Sequence, residues 1–209
     1  MSKFLFRLDN FKITDTMARH LDTDWVYFTV RVGDQVFGPR HQKVGDLNNG
    51  TYTLNWDLGP VTTAPNTPVV MTYQIINHGH DDTKKQVSDD IAIATTIAQL
   101  VAVVALGTGA EIVSKIGGAL KEVGGWLFGG PNCDGVVLSD AISTSGAILE
   151  QWTHGSAVHS VSRHYKGPET PHGCGADAEY NVTWSVHRIG PQVPASDAVI
   201  SNLSRSGKP

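Results

Sequence analysis

Cysteine is scarce in this sequence, which has two, Cys133 and Cys174, among 209 residues. Two thiols exclude a zinc site built from four cysteine ligands. Three states stay open for them: two buried reduced thiols, metal ligation together with His172, or a disulfide between the turns at 131–135 and 172–176. A disulfide would close a loop of about 40 residues and stabilise the fold by roughly 3–4 kcal/mol.

Charge is also sparse, since charged residues make up 17% of the chain and the net charge is -4. A nucleic-acid-binding protein needs a basic surface, so we do not expect a nucleic acid partner. Electrostatic attraction to an anionic membrane is not expected either. The hydrophobic content of 40% is that of a folded domain and excludes a disordered chain.

Signals for targeting and for common enzyme classes are missing. The first ten residues, MSKFLFRLDN, hold only a short apolar run that Arg7 interrupts, and a secretory signal needs a longer one. We therefore expect a protein made in the cytoplasm, with export by a route without a cleaved signal left open. Neither a GxSxG nucleophile motif nor a phosphate-binding P-loop occurs.

Alternation of apolar and polar residues is the main pattern that the sequence does contain. In residues 25–32, for example, Val26, Phe28, Val30 and Val32 share one face, which is typical of a half-buried strand. Strands are predicted at 3–8, 25–32, 51–58, 69–76, 135–142, 147–152, 156–165 and 179–189. We predict an antiparallel β-sandwich of about eight strands, a single domain over 1–190 with a C-terminal tail at 191–209.

An apolar insert at 88–128 interrupts these strands and predicts a helical hairpin. Ser88 is a good N-cap for a first helix, which ends at Gly107, and Thr108 caps a second, amphipathic helix. The apolar part of the first helix, 91–106, is short for a membrane span, which needs about 20 residues. The hairpin is expected to pack on the sandwich or on itself. Membrane insertion, as in a pore-forming toxin, and an oligomer contact are alternatives.

Two acidic segments lie between predicted strands. The first lies between the strands at 3–8 and 25–32, and the second follows the strand at 69–76. Their candidate metal ligands are Asp15, Asp22 and Asp24 in the first and His80, Asp81 and Asp82 in the second. If the strands run antiparallel, both segments reach one end of the sandwich, where several carboxylates suit calcium. In the alternative interpretation, these acids are ordinary turn residues and helix caps.

Two stretches of the sequence resemble the C2 domain family over roughly residues 3–90. LDTDWVYFTVRVG is similar to that family's segment in which an aspartate precedes an aromatic-rich strand, and YQIINHGHDD to a later strand that runs into an acidic loop. The resemblance implies calcium binding through Asp24 and through Asp81 or Asp82, with docking on a membrane or protein surface. The helical insert has no counterpart in that family.

Enzyme chemistry is the third hypothesis. His78 and His80, followed by a carboxylate, could hold a transition metal. Cys133 could act as a thiol nucleophile if the fold brought one of the later histidines beside it. The order of preference is a non-enzymatic binding module, then a membrane-perturbing protein, then a metal- or thiol-dependent hydrolase.

Overall fold

The structure, a computed structural model, describes residues 1–16, 22–77, 135–167 and 177–190. These residues form eight strands and one helix. The elements are β1 (Ser2–Asp15), β2 (Asp22–Val32), β3 (Gln35–Leu47), β4 (Gly50–Thr63), β5 (Pro68–Asn77), β6 (Gly135–Ser145), α1 (Gly146–Trp152), β7 (Val158–Lys166) and β8 (Glu179–Ile189). The predicted hairpin at 88–128 and tail at 191–209 lie outside the described residues.

The strands form two four-stranded antiparallel sheets, ordered β4-β1-β8-β7 and β3-β2-β5-β6. Inward side chains of both sheets belong to one core, so the arrangement is sandwich-like. The four predicted inward residues of β2 are all buried, at 6% exposure or less. The prediction of a mainly β, antiparallel fold is thereby confirmed for the described residues.

The two sheets differ in their outer faces. On the first sheet, Lys12, Thr53 and His164 are exposed, as expected for an antiparallel sheet with one solvated face. On the second sheet, every residue of β5 from Val69 to Asn77 is buried. This strand is therefore covered on both faces.

The prediction of a strand at 147–152 is wrong, because this segment is helix α1. Ser145 is the N-cap, and its hydroxyl accepts a hydrogen bond from the Ile148 backbone at 3.5 Å. Leu149 lies fully in the core while Ile148 is 41% exposed, so the apolar residues follow helical spacing. A short apolar run of this kind fits a helix or a strand by composition alone.

Strand β3 is absent from the prediction. It is largely exposed and pairs within its sheet only with β2 among the described strands, so its sequence shows no alternation of apolar residues. Gly38 within it has φ +97°, and a Cβ there would lie 2.8 Å from the Phe28 carbonyl oxygen. This position therefore requires glycine, which in a strand sequence is usually a sign of a break or bulge.

Candidate functional site

The predicted acidic end of the sandwich is where β1 ends, β2 begins and β5 ends. Asp24 on β2 is paired in register with Asn77, the last residue of β5. Asp15 ends β1 and is paired with Glu179 on the neighbouring strand β8. The chain thus enters both predicted acidic segments at one end of the molecule.

The three aspartates of the first segment lie within strands and not between them, which corrects the prediction. Asp15 is the last residue of β1, and Asp22 is the first residue of β2, paired with Leu47 of β3. Strand β2 begins three residues before the predicted start because β3, which was not predicted, extends the pairing to Asp22. The apolar pattern alone could not show this extension.

Asp24 is fully buried between the sheets. The Tyr180 hydroxyl, on β8 of the first sheet, donates a hydrogen bond of 2.9 Å to the Asp24 Oδ2 on the second sheet. A buried carboxylate needs such partners, because desolvation without a hydrogen bond is costly. Asp24 therefore has a structural role, as an acceptor that joins the two sheets.

A network of neighbouring side chains orders the same end. The Thr23 backbone N–H donates to the Asn77 Oδ1 at 2.9 Å, and the Thr23 hydroxyl donates to the Asp46 Oδ1 at 2.5 Å. Asp46 is exposed near the end of β3 and adds a carboxylate that sequence reasoning missed. The sequence feature that could have indicated Asp46 is the turn that follows it, in VGDLNNG. Its position beside β2, however, depends on the pairing of β3 with β2.

The remaining predicted ligands, His80, Asp81 and Asp82, lie outside the described residues, and so do Cys133 and Cys174. In the part of the chain that the structure describes, no three His, Cys, Asp or Glu side chains lie close enough to hold a metal ion. Calcium binding therefore stays a prediction, and so does the state of the two cysteines.

A second polar cluster lies where β6 of one sheet meets β7 of the other. The Tyr73 hydroxyl is 3.1 Å from the Asp140 Oδ2, and the Tyr165 hydroxyl forms hydrogen bonds with both groups. The Arg163 Nη1 donates to the same Asp140 oxygen at 2.7 Å. We call these four residues the tyrosine–aspartate cluster.

Burial controls the protonation of its two phenols. It raises the pKa of Tyr73 above the ordinary tyrosine range, and the negative charge of Asp140 raises it further. Burial also raises the pKa of Tyr165, with an added contribution from the hydrogen bond to Asp140. Both phenols are therefore neutral near pH 7 and act as hydrogen-bond donors, not as nucleophiles. Sequence reasoning did not single out any member of this cluster.

An aromatic stack and an open surface depression occupy the side of the first sheet next to α1. The rings of Trp152 and His159 stack with centroids 4.8 Å apart, and Trp184 lies 6.1 Å from each. The depression beside them, about 380 Å³, is lined by Glu150, Gln151, His154 and Arg188. His159 faces this stack while His164 contacts Asn181 on the outer face, so the two histidines do not share a site.

No family model matches this sequence, and no curated protein matches it either. Among the described residues, no helix has the length and apolar character to cross a membrane.

Proposed function

We propose that this protein is a non-enzymatic binding module of C2-like type, whose ligand-binding end is the one formed by β1, β2 and β5. Calcium is the proposed ligand, and a membrane or protein surface is what the calcium-loaded end would dock on. The observation that carries the proposal is the pairing of Asp24 with Asn77. Because these two residues are paired, the chain reaches Asp22 and the second acidic segment at the same end of two neighbouring strands.

The small number of residues between Asn77 and the two aspartates of the second acidic segment supports a shared site. Asp81 and Asp82 follow Asn77 by four and five residues, so each lies within roughly 18 Å of it at about 3.6 Å per residue. The exposed carboxylate of Asp46 is held at this end by Thr23. Calcium takes six to eight oxygens at about 2.3–2.6 Å, drawn from several carboxylates on adjacent segments. Asp15, Asp22, Asp46, Asp81 and Asp82 are the proposed sources of those oxygens.

Because Asp24 is buried, its role in this proposal differs from that of a direct calcium ligand. Its Oδ2 already accepts a hydrogen bond from Tyr180. We therefore assign it mainly to fixing the position of the site, and the direct ligands to the carboxylates around it.

Thermal unfolding tests the proposal. The protein is melted in EDTA and again with millimolar calcium, because a ligand that binds only the folded state stabilises it by about 2.7 kcal/mol at a hundredfold excess over its dissociation constant. We expect calcium to raise the midpoint of the wild-type protein and not that of the double variant Asp81→Asn, Asp82→Asn.

Asp34→Asn is the matched control. Asp34 is fully exposed in the turn after β2, at the far end of that strand from Asp24, and makes only a 3.3 Å surface contact with Arg31 among the described residues. The control should respond to calcium like the wild type. No rise in the wild type, or an equal rise in the double variant, would contradict the proposed site.

A further inference from the structure

We propose that strand β7 is a dimerisation edge, where a second copy of this chain adds its own β7 in antiparallel register. The first sheet, ordered β4-β1-β8-β7, then continues across a two-fold axis into the first sheet of the second copy. This surface is separate from the proposed calcium end and shares none of its residues.

The backbone of β7 has one paired side and one free side, because among the described strands it pairs with β8 alone. The Ala157 carbonyl, just before β7, accepts a hydrogen bond of 2.7 Å from the Arg188 N–H, and the Gly167 N–H, just after it, donates to β8's side of the sheet at 2.6 Å. In an antiparallel pair, such residues alternate with residues whose N–H and C=O point away from the partner strand. The residues that present their backbone groups on the free side are therefore the even-numbered ones, all exposed: Val158, Ser160, Ser162, His164 and Lys166.

The other edge strands of the described sheets carry features that hinder the addition of a further strand. Strand β3 contains Pro39 and strand β4 contains Pro60, and proline has no N–H to offer to a new ladder. Strand β6 has one extra residue between its pairs with Ile75 and Ile76, which marks a β-bulge. Strand β7 contains no proline, and its nine residues pair with β8 without a register shift. Because soluble proteins ordinarily protect their edges by such features, β7 is the edge suited to pairing.

The sequence of β7 favours a second copy of the same strand as the partner. The longest antiparallel overlap is centred on Ser162, which then faces Ser162 of the second copy, and it brings free-side residues of both strands opposite one another. The remaining opposed pairs are Ser160 with His164 and Val158 with Lys166 on the outer face, and Val161 with Arg163 and His159 with Tyr165 on the other. In this register no lysine or arginine faces another, so the repulsion of directly opposed like charges is avoided.

The pairing also covers an apolar side chain that the single chain leaves exposed. Val158 is 40% exposed although it lies within a strand. In the proposed register it faces Lys166 of the second copy, whose aliphatic stem can lie along the valine while the ammonium group stays in water. Arg163, next to the axis, has its charge balanced by Asp140 at 2.7 Å. The two strands therefore approach without an unbalanced charge at their centre.

Antiparallel pairing fixes where the two acidic ends of the dimer lie. The last residue of β7, Lys166, pairs with Glu179 of β8, and Glu179 pairs with Asp15 at the acidic end. Because the two β7 strands run in opposite directions, the acidic ends of the two copies lie at opposite ends of the dimer. A dimer of this shape would bridge two surfaces, and this consequence, unlike the dimer itself, rests on the proposed function.

Sedimentation equilibrium of the full chain in EDTA tests the dimer independently of calcium. We expect a reversible monomer–dimer equilibrium in the wild-type protein. Ser162→Pro removes an N–H that points to the second copy and keeps the bonds to β8, so two intermolecular hydrogen bonds are lost and the dissociation constant should rise roughly tenfold to hundredfold. The control Ser162→Ala keeps this N–H and should dimerise like the wild type. A wild type that is monomeric from micromolar to millimolar concentration, or an unchanged dimer in a folded Ser162→Pro, would overturn the proposal.

A charge-swap pair tests the register and needs no proline in the strand. Ser162→Lys and Ser162→Asp each place like charges opposite one another at the two-fold axis, so each variant alone should dimerise more weakly than the wild type. An equal mixture of the two should form a heterodimer, because opposite charges then face each other. The control Thr53→Lys adds the same charge at an exposed position of β4 and should dimerise like the wild type. Absence of the heterodimer, or wild-type dimerisation by either variant alone, would overturn the proposal.

Discussion

Replacing Tyr180 by phenylalanine tests the bond that joins the two sheets at the candidate site. The change removes the hydroxyl that donates to Asp24 and keeps the ring, which stacks on Phe11 with centroids 6.1 Å apart, so no large cavity forms. A hydrogen bond to a carboxylate contributes roughly 1.5–3 kcal/mol. For a chain of this length each kcal/mol corresponds to about 2–4 °C, so the midpoint should fall by roughly 3–12 °C.

A double-mutant cycle isolates this pair from the other contacts of each residue. Unfolding free energies of the wild type, Tyr180→Phe, Asp24→Ala and the double variant are measured by urea denaturation, because alanine removes the acceptor that asparagine would keep. We expect a coupling energy of about 1–3 kcal/mol. Tyr52→Phe is the control, because its hydroxyl bonds to Asn48 in an exposed position, and it should cost less than about 1 kcal/mol. A coupling energy near zero would refute the structural role assigned to Asp24.

Two further predictions concern an ion pair and the helix. The hydrogen bond from Arg7 lowers the pKa of Asp57 below its ordinary value of 3.8, so the stability from this pair is present above pH 3.8 and is lost as the pH falls through the lowered pKa. Both side chains are about a third exposed, which limits the ion pair's contribution to the free energy of unfolding to about 1 kcal/mol. The difference in urea stability between the wild type and Asp57→Asn should therefore vanish in acid. A difference that grows in acid would contradict this sign. In α1, Leu149→Ala should cost about 2–5 kcal/mol because Leu149 is fully buried, while Ile148→Ala should cost under about 1 kcal/mol. Equal losses would show that α1 does not pack as described.

The strands with regular alternation were predictable from the sequence. Strand β8 has the predicted bounds, 179–189, because Tyr180, Val182, Trp184 and Val186 all face the core without interruption. Strand β1 was predicted only to residue 8, although it continues to Asp15. Its register shifts between Leu8 and Asn10, so the inward residues continue at Phe11 and Ile13, out of phase with the first half.

The elements that were not predictable have little periodic signal of their own. Strand β3 places Phe37, Val44 and Leu47 against the core at irregular spacing. It is also stabilised by pairing with β2 and by contacts such as the Arg40 guanidinium, 5.2 Å from the Trp56 ring centre. Helix α1 is only seven residues long, and its position depends on Gly146, where a Cβ would lie 2.1 Å from the Ala64 carbonyl oxygen. Such contacts arise from the assembled fold and leave no local pattern.

The candidate site also has features that could be predicted from the sequence and features that could not. That the acidic segments start at one end could be predicted from antiparallel pairing, and Asp24 beside Asn77 agrees with it. The burial of Asp24 could not be predicted, because it depends on Tyr180, which is 156 residues away in sequence. The tyrosine–aspartate cluster likewise combines β5, β6 and β7, whose residues are brought together only by the packing of the two sheets.

Calorimetric titration of the metal-free protein with calcium tests whether this end of the sandwich binds the ion. We expect saturable binding with a dissociation constant in the micromolar-to-millimolar range, as is found for calcium sites built from several carboxylates. Binding should be abolished in the double variant Asp22→Asn, Asp81→Asn and unchanged in Asp34→Asn. Absence of saturable heat up to millimolar calcium, or full binding by the double variant, would contradict the assignment of this end as the ligand site.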